Sequence, residues 1–405
     1  MTSWVNPKII VGPTATGDYY FNRPSIVAQI WEEISKGSHI LIAAPRRVGK
    51  TSVMEYMVNN CPEDTKCFFK NIQGIKTEEE FYKQIYELII LCLNKLEKSK
   101  NLLADFLGGI SIEEITLEGV KFGDRKSLNY LEEINKVLPK LQSKKVKIIL
   151  FIDELPEVLN NLHKAKKTTE ASNIIDNLRQ WRQMPVLKGH FSMVLAGSVG
   201  IHHVVKTIDG RVSDLNDLHQ VDFEPLTPFE AQKYVQWATD GATVQYKDEL
   251  LTYLLTKIAY PIPYFINLML DEINKQAYKT GTSEISPAEI DSAFERVVKH
   301  SNHFTEWKNR LVQYFPTTES DFMNKVLTFI SHKDKISKRQ LYNLALEYTR
   351  TNDYIEIMDG LERDGYITEQ GDNYVFISPF LKAFWKRSNP IYDGNKERKN
   401  RQLVR

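Results

Sequence analysis

Eight consecutive residues, Ala44-Pro45-Arg46-Arg47-Val48-Gly49-Lys50-Thr51, follow directly on an apolar run, His39 to Ala43, and lead directly into a helical pattern, Thr51 to Asn60. Strand, short loop and helix in that order are the context a phosphate-binding loop needs. Phosphates are held there by backbone amides, by the partial positive charge of a helix N-terminus, by a lysine that reaches the outer phosphates and by a hydroxyl that ligates magnesium. Gly49, Lys50 and Thr51 answer to these requirements, and Pro45, Arg46, Arg47, Val48 and Ser52 complete the stretch that would surround the phosphates. Where the usual pattern opens on glycine this chain has Ala44, stiffened further by Pro45, so the loop must close without that glycine's freedom. A Gly-Lys-Thr at such a turn can also be only a turn with a solvated lysine, and a second signal is needed to decide.

That signal is Ile148-Ile149-Leu150-Phe151-Ile152-Asp153-Glu154, a very apolar strand ending in two acids, expected to lie beside the phosphate loop. Asp153 would support a Mg2+ ion, and Glu154 would orient and deprotonate an attacking water. The competing reading, two carboxylates capping the turn Leu155-Pro156-Glu157, gives way once both motifs occur in register. Ser198, after the apolar run Ser192 to Gly197, either contacts the γ-phosphate or catalytic water, or merely starts a Gly-Ser loop. Arg211 either reaches a neighbouring subunit's nucleotide as an arginine finger or is a surface arginine in a loop. His202, His203, His300 and His303 have no acidic or cysteine partner at metal-binding spacing and read as solvated or core histidines.

The elements that must position these residues alternate. Apolar runs at 39–43, 67–72, 147–152, 191–196 and 220–223, with helical patterns between them, imply an α/β parallel sheet covered on both faces. A long insertion, 78–124, has helical spacing and reads as a helical decoration on that sheet. From Pro225 strands give way to helices, with Thr227-Pro228 before Glu230 and Ser286-Pro287 before Glu289 as helix starts. Three further helices, 321–330, 338–348 and 353–364, precede a hairpin centred on Gly371-Asp372-Asn373, which describes a winged helix-turn-helix.

Composition bounds the rest. The 405 residues allow two or three domains, and 42% hydrophobic with 26% charged residues describes a globular chain with ample core. A net charge of +1 excludes a global basic field. Cys61, Cys67 and Cys92 are odd in number and lack metal-ligand spacing, so neither a disulfide framework nor a zinc site is expected, and a reducing compartment fits. The longest apolar runs are far too short to span a bilayer, so no membrane contact is expected and the setting reads as cytoplasmic. The helix placed to enter a DNA groove carries Asp353, Glu356, Asp359, Glu362 and Asp364 against Arg363 alone, which argues for a protein partner or self-contact there. Basic residues gather instead at Lys382, Lys386, Arg387 and after Ser388, where DNA contact without sequence preference is possible.

The order of motifs resembles the archaeal-type ATPase family, the AAA+/STAND group related to origin-recognition ATPases. The resemblance runs through Tyr20-Phe21-Asn22-Arg23-Pro24, the Walker A loop ending at Ser52, the Walker B strand ending at Glu154, Ala196-Gly197-Ser198, Phe223 to Thr227, Tyr260 to Tyr264, Arg363 to Ile367 and Phe376 to Leu381. It implies ATP and Mg2+ as ligands, Phe21 and Arg23 against the adenine, Pro263 in a lid turn over base and ribose, and slow turnover typical of a switch. The expected fold is therefore α/β: a P-loop AAA+-type parallel sheet domain over 1–224, an α-helical lid subdomain over 225–315, a C-terminal winged helix-turn-helix over 316–390 and a basic tail over 391–405.

Overall fold

The computed structural model describes residues 4–95, 105–107, 112–116, 119–122, 128–197, 200–210, 215–300 and 302–392. The chain forms two compact units, Thr14–Phe223 and a second built from the residues up to Pro13 together with those from Glu224 onward. The first residues, expected with the α/β domain, therefore group with the C-terminal part.

In the first unit the strands are β1 (His39–Ala43), β2 (Lys66–Asn71), β3 (Ile112–Ile115), β4 (Val120–Phe122), β5 (Ile148–Asp153), β6 (Phe191–Gly197) and β7 (Leu218–Gln220). Five of them form a parallel sheet in the order β2-β5-β6-β1-β7. Every residue of β1, β5 and β6 is buried, which is why these strands are written as unbroken apolar runs. The acidic strand is not the immediate neighbour of the phosphate-loop strand as expected: β6 lies between them, pairing Ala43 with Gly197 on one side and Ile152 with Leu195 on the other. The last strand begins two residues earlier than the apolar pattern suggested, at Leu218, because His39 and Leu41 supply its backbone partners.

Helices α1 (Pro24–Ser35), α2 (Lys50–Asn59), α3 (Glu78–Asn94), α4 (Tyr130–Val137), α5 (Leu155–Lys164), α6 (Thr168–Gln183) and α7 (Ile201–Asp209) accompany the sheet. The Thr77 hydroxyl accepts from Glu80 N and caps α3, whose apolar positions from Phe81 to Leu93 are buried. The insertion is not purely helical: β3 and β4 form an antiparallel hairpin. Ile112-Glu113-Glu114-Ile115 lacks the alternation that marks a strand, so the sequence pattern missed it. Cys61 and Cys67, expected outside any disulfide, are bonded across the turn that joins α2 to β2.

The second unit contains α8 (Pro228–Ala238), α9 (Asp248–Ile258), α10 (Pro263–Thr280), α11 (Pro287–Lys299), α12 (Asn302–Tyr314), α13 (Thr317–Lys333), β8 (Ile336–Ser337), α14 (Lys338–Glu347), α15 (Tyr354–Arg363), β9 (Ile367–Gln370), β10 (Asn373–Phe376) and α16 (Pro379–Ser388). The starts of α8 and α11 are reciprocal capping boxes, Thr227 with Glu230 and Ser286 with Glu289, each worth about 1 kcal/mol. Residues 4–10 form a strap on these helices: Trp4 Nε1 donates to Asn274 Oδ1 (3.2 Å), Val5 N to Thr243 Oγ1 (2.8 Å), and Ile10 O accepts from Asn267 Nδ2 (3.0 Å).

From α13 onward the order is helix, short strand, two helices and hairpin, with an antiparallel sheet ordered β8-β10-β9, the arrangement expected of a winged helix-turn-helix. The hairpin turn at Gly371 has φ +58, the left-handed region that favours glycine. Helix α16, which hydrophobic spacing had not singled out, buries Phe380, Leu381, Phe384 and Trp385. Phe380 packs against Phe294 (4.6 Å between ring centroids) and Phe265 (5.1 Å), and Tyr366 Oη donates to Trp307 O (2.6 Å). One aromatic core thus joins α10 and α11 to α16. No helix among the described residues is long and apolar enough to cross a membrane.

Candidate nucleotide site

The loop read from sequence as phosphate-binding leaves β1 at Ala44, which is buried, and enters α2 at Lys50. Val48, 1% exposed, pins its middle to the core. Two residues turn the backbone through the left-handed region, Arg47 at φ +66 and Gly49 at φ +100. At the second of these a residue with a β-carbon would be strained, and there the sequence has glycine. Lys50 is 7% exposed, and its Nζ donates to Ala44 O (2.7 Å) and Pro45 O (2.9 Å), so the loop encircles its own ammonium group.

The two motifs meet at α2. Thr51 Oγ1 donates to Asp153 Oδ2 at 2.6 Å, across the end of the intervening β6. Asp153 is 1% exposed, and its other oxygen, Oδ1, accepts from Glu154 N (3.0 Å). Glu154 itself lies at φ +64, ψ 32, as the N-cap of α5. A hydroxyl and a carboxylate this close are hard oxygen donors of the kind a Mg2+ ion takes, so the donor set fits that ion. Among the described residues no three His, Cys, Asp or Glu side chains come together as a metal site of their own.

Ser52 contributes differently from its neighbours: its Oγ accepts from Ala15 N (3.2 Å) and ties the lead segment to α2. That segment continues with Tyr20 stacked on Tyr56 of α2, at 4.8 Å and 27°, and burial pushes the Tyr20 phenol up to about 12. Arg23, 7% exposed, precedes α1 and holds its guanidinium 6.0 Å from the Phe223 ring, while Phe21 is half-buried. Pro263 opens α10 and belongs to the other unit. Ser198 and Arg211 fall outside the described residues.

Sequence reasoning overlooked three residues near the acids. Glu55 follows Thr51 by one helical turn, and burial together with the Asp153 charge raises its carboxyl above the usual carboxylate value. The four-residue spacing from Thr51 was the available signal. Pro156 and Gly197 meet beside Glu154, and only the folded chain shows this.

A strand–loop–helix with a buried lysine, joined by a hydroxyl–carboxylate contact to an acid-tipped strand two places away in a parallel sheet, is the arrangement of a P-loop ATPase. Residues 14–207 match the family described as Predicted AAA-ATPase, which bears out the resemblance read from the motifs. Among solved structures, the chain is similar to the Walker-type ATPase PABY2304 of Pyrococcus abyssi, with 13% identity over 92% of this chain and 98% of that one and a TM-score of 0.62. It is also similar to the ORC2 protein of Aeropyrum pernix in its ADPNP–ADP complexes, with 11% identity over 90% and 92% of the two chains and a TM-score of 0.51. At these identities the likeness concerns the fold. Curated protein sequences give no match.

Proposed function

We propose that this chain is a Mg-ATP-binding, slowly hydrolysing switch ATPase whose nucleotide state controls the C-terminal winged helix, used for protein contact or autoinhibition. The observation that carries the reading is the 2.6 Å bond between Thr51 Oγ1 and Asp153 Oδ2, which brings both nucleotide motifs to one point. Lys50 exchanges its two loop carbonyls for oxygens of the β- and γ-phosphates, and the amides from Pro45 to Ser52 close around them. Thr51 and Asp153 would hold Mg2+, which when bound would neutralise charge on the phosphates. Glu154 accepts a proton from the water that attacks the γ-phosphorus, and the bond to the leaving ADP oxygen breaks. Ser198 senses the γ-phosphate, Arg211 serves a neighbouring subunit's nucleotide, and Phe21 and Arg23 hold the base.

For the winged helix, exposure favours a protein contact over phosphate. Glu356 and Asp359 of α15 face solvent beside Ile355 (51% exposed), and α14 presents Leu346 (53%) and Tyr342 (45%). A DNA-binding adaptor is the competing reading, and it predicts a salt-dependent shift of duplex DNA with an ATP analogue that is lost on deleting the residues after Ser388. The nucleotide site is tested by binding and phosphate release. Lys50→Ala abolishes ATP binding, and Glu154→Gln retains binding while losing hydrolysis. Unchanged nucleotide affinity in Lys50→Ala would sink the site.

A further inference from the structure

Gly197 ends β6 and pairs with Ala43 of β1. On the other side β5 has already stopped at Asp153, and the chain turns through Glu154 into α5, whose second residue is the buried Pro156. A β-carbon placed on Gly197 would overlap Cδ and Cγ of the Pro156 ring, and the three nearest atoms all belong to that proline. Gly197 is not among the residues with positive φ, so the position needs glycine for space and not for backbone freedom. A pyrrolidine ring fused to the backbone cannot swing aside as a long side chain does.

The backbone that this contact supports is an unusual one. Glu154 sits in the left-handed region, which residues with a β-carbon occupy only when their surroundings impose it. Asp153 Oδ1 holds its N–H, Glu157 N donates to its carbonyl (3.1 Å), and Leu155 beside it is 2% exposed. The remaining freedom of the turn is the height of the first turn of α5 above the sheet, and that turn rests on Gly197 through Pro156. We infer that Gly197 and Pro156 form a seat that holds Glu154 in its left-handed conformation and so aims its carboxylate. Neither residue touches nucleotide in this account; both are positioning residues. The inference rests on Glu154 as the proton acceptor.

The test is a pair of substitutions and their combination, assayed by steady-state phosphate release and by equilibrium ATP binding. In Gly197→Ala, kcat falls about 100-fold, the scale of a catalytic group displaced by about 1 Å. KM and ATP affinity stay within about two-fold, since the loop around Lys50 is untouched. Pro156→Ala makes room for the new methyl group, so the double variant recovers to within about ten-fold of Pro156→Ala alone. A wild-type kcat in Gly197→Ala, or a double variant no faster than Gly197→Ala, overturns the seat. Should Gly197→Ala fail to fold, the comparison of the double variant with Pro156→Ala decides: matching rates support the seat, and an unfolded or inactive double variant overturns it. Glu154→Gln separates the two levels. If it hydrolyses ATP as wild type does, the reading of Glu154 fails. If it is inactive while Gly197→Ala runs at the wild-type rate, the seat alone fails.

Discussion

The two units spend their sequence differently. Thr14–Phe223 builds a core of aliphatic strands and places polar residues at the strand ends: Lys50 and Asp153 are buried there, and Arg47 and Glu154 have positive φ. The C-terminal unit builds from rings, with Phe265, Phe294, Phe304, Trp307 and Phe380 in one stack of aromatic contacts. Its buried polar groups mostly tie helices together, as Tyr234 Oη does when it donates to Asn267 Oδ1 (2.9 Å). Non-glycine residues with positive φ occur in both units, Ala259, Asp334 and Thr349 in the C-terminal one, so what separates the two is buried charge, which Lys50 and Asp153 carry at the strand ends of the α/β unit.

The comparison breaks most visibly at Phe380. Replacing it by alanine removes a fully buried ring and lowers the stability of the C-terminal unit by about 3–5 kcal/mol, measured by denaturant unfolding. ATP affinity in the same variant is expected to be unchanged under conditions where it stays folded. A matching loss of nucleotide binding would show that the α/β unit depends on that aromatic core.

A second, smaller effect belongs to the sheet. His39 starts β1 with Nδ1 accepting from Met193 N (3.1 Å); burial, and then the Arg182 charge, lower its imidazole from 6.5 to about 4. Because the folded value is depressed, the unfolded chain takes up the proton first. Stability is complete above the unfolded value near 6.5, drains away as pH falls, and is about 3 kcal/mol lower once pH passes 4. His39→Asn keeps an acceptor without the titration, so its melting temperature should fall less steeply over that window than that of the wild type. Parallel slopes would remove His39 from the account.

The smallest change sharpens the picture at the site itself. With its carboxyl raised by burial and by Asp153, Glu55 is harder to ionise in the folded chain than in the unfolded one, so its charge opposes folding at neutral pH. Glu55→Gln should raise the melting temperature by about 1–2 °C at pH 7, with the gain vanishing as pH falls below the ordinary carboxylate range. A gain that persists in acid would point to packing instead of charge.

Much of this was legible in the sequence because local patterns encode it directly. Buried parallel strands need unbroken apolar runs, and phosphate loops need a glycine and a lysine before a helix, so β1, β5, β6 and the Gly49-Lys50-Thr51 turn could be placed from residue order alone. The capping boxes at Thr227 and Ser286 are equally local. What escaped depends on distant pairings. The order of strands puts β6 between β1 and β5, the contact of Gly197 with Pro156 joins the end of β6 to the first turn of α5, and the Cys61–Cys67 bond needs the turn after α2 to bring its ends together. The β3–β4 hairpin escaped for another reason: its strands are too short and too charged to show a period.

The strap of residues 4–10 has a consequence for how the protein is made. Trp4 finds Asn274 across a separation of 270 residues. Residues 4–10 therefore leave the ribosome before Thr14–Phe223, and the helices that receive the strap follow only afterwards. The α/β unit can complete its sheet while the strap waits unmatched, and the loop-closure entropy of the last contact is met only once most of the chain exists. The strap can close only after the helices that receive it exist, although its residues precede the α/β unit in the chain.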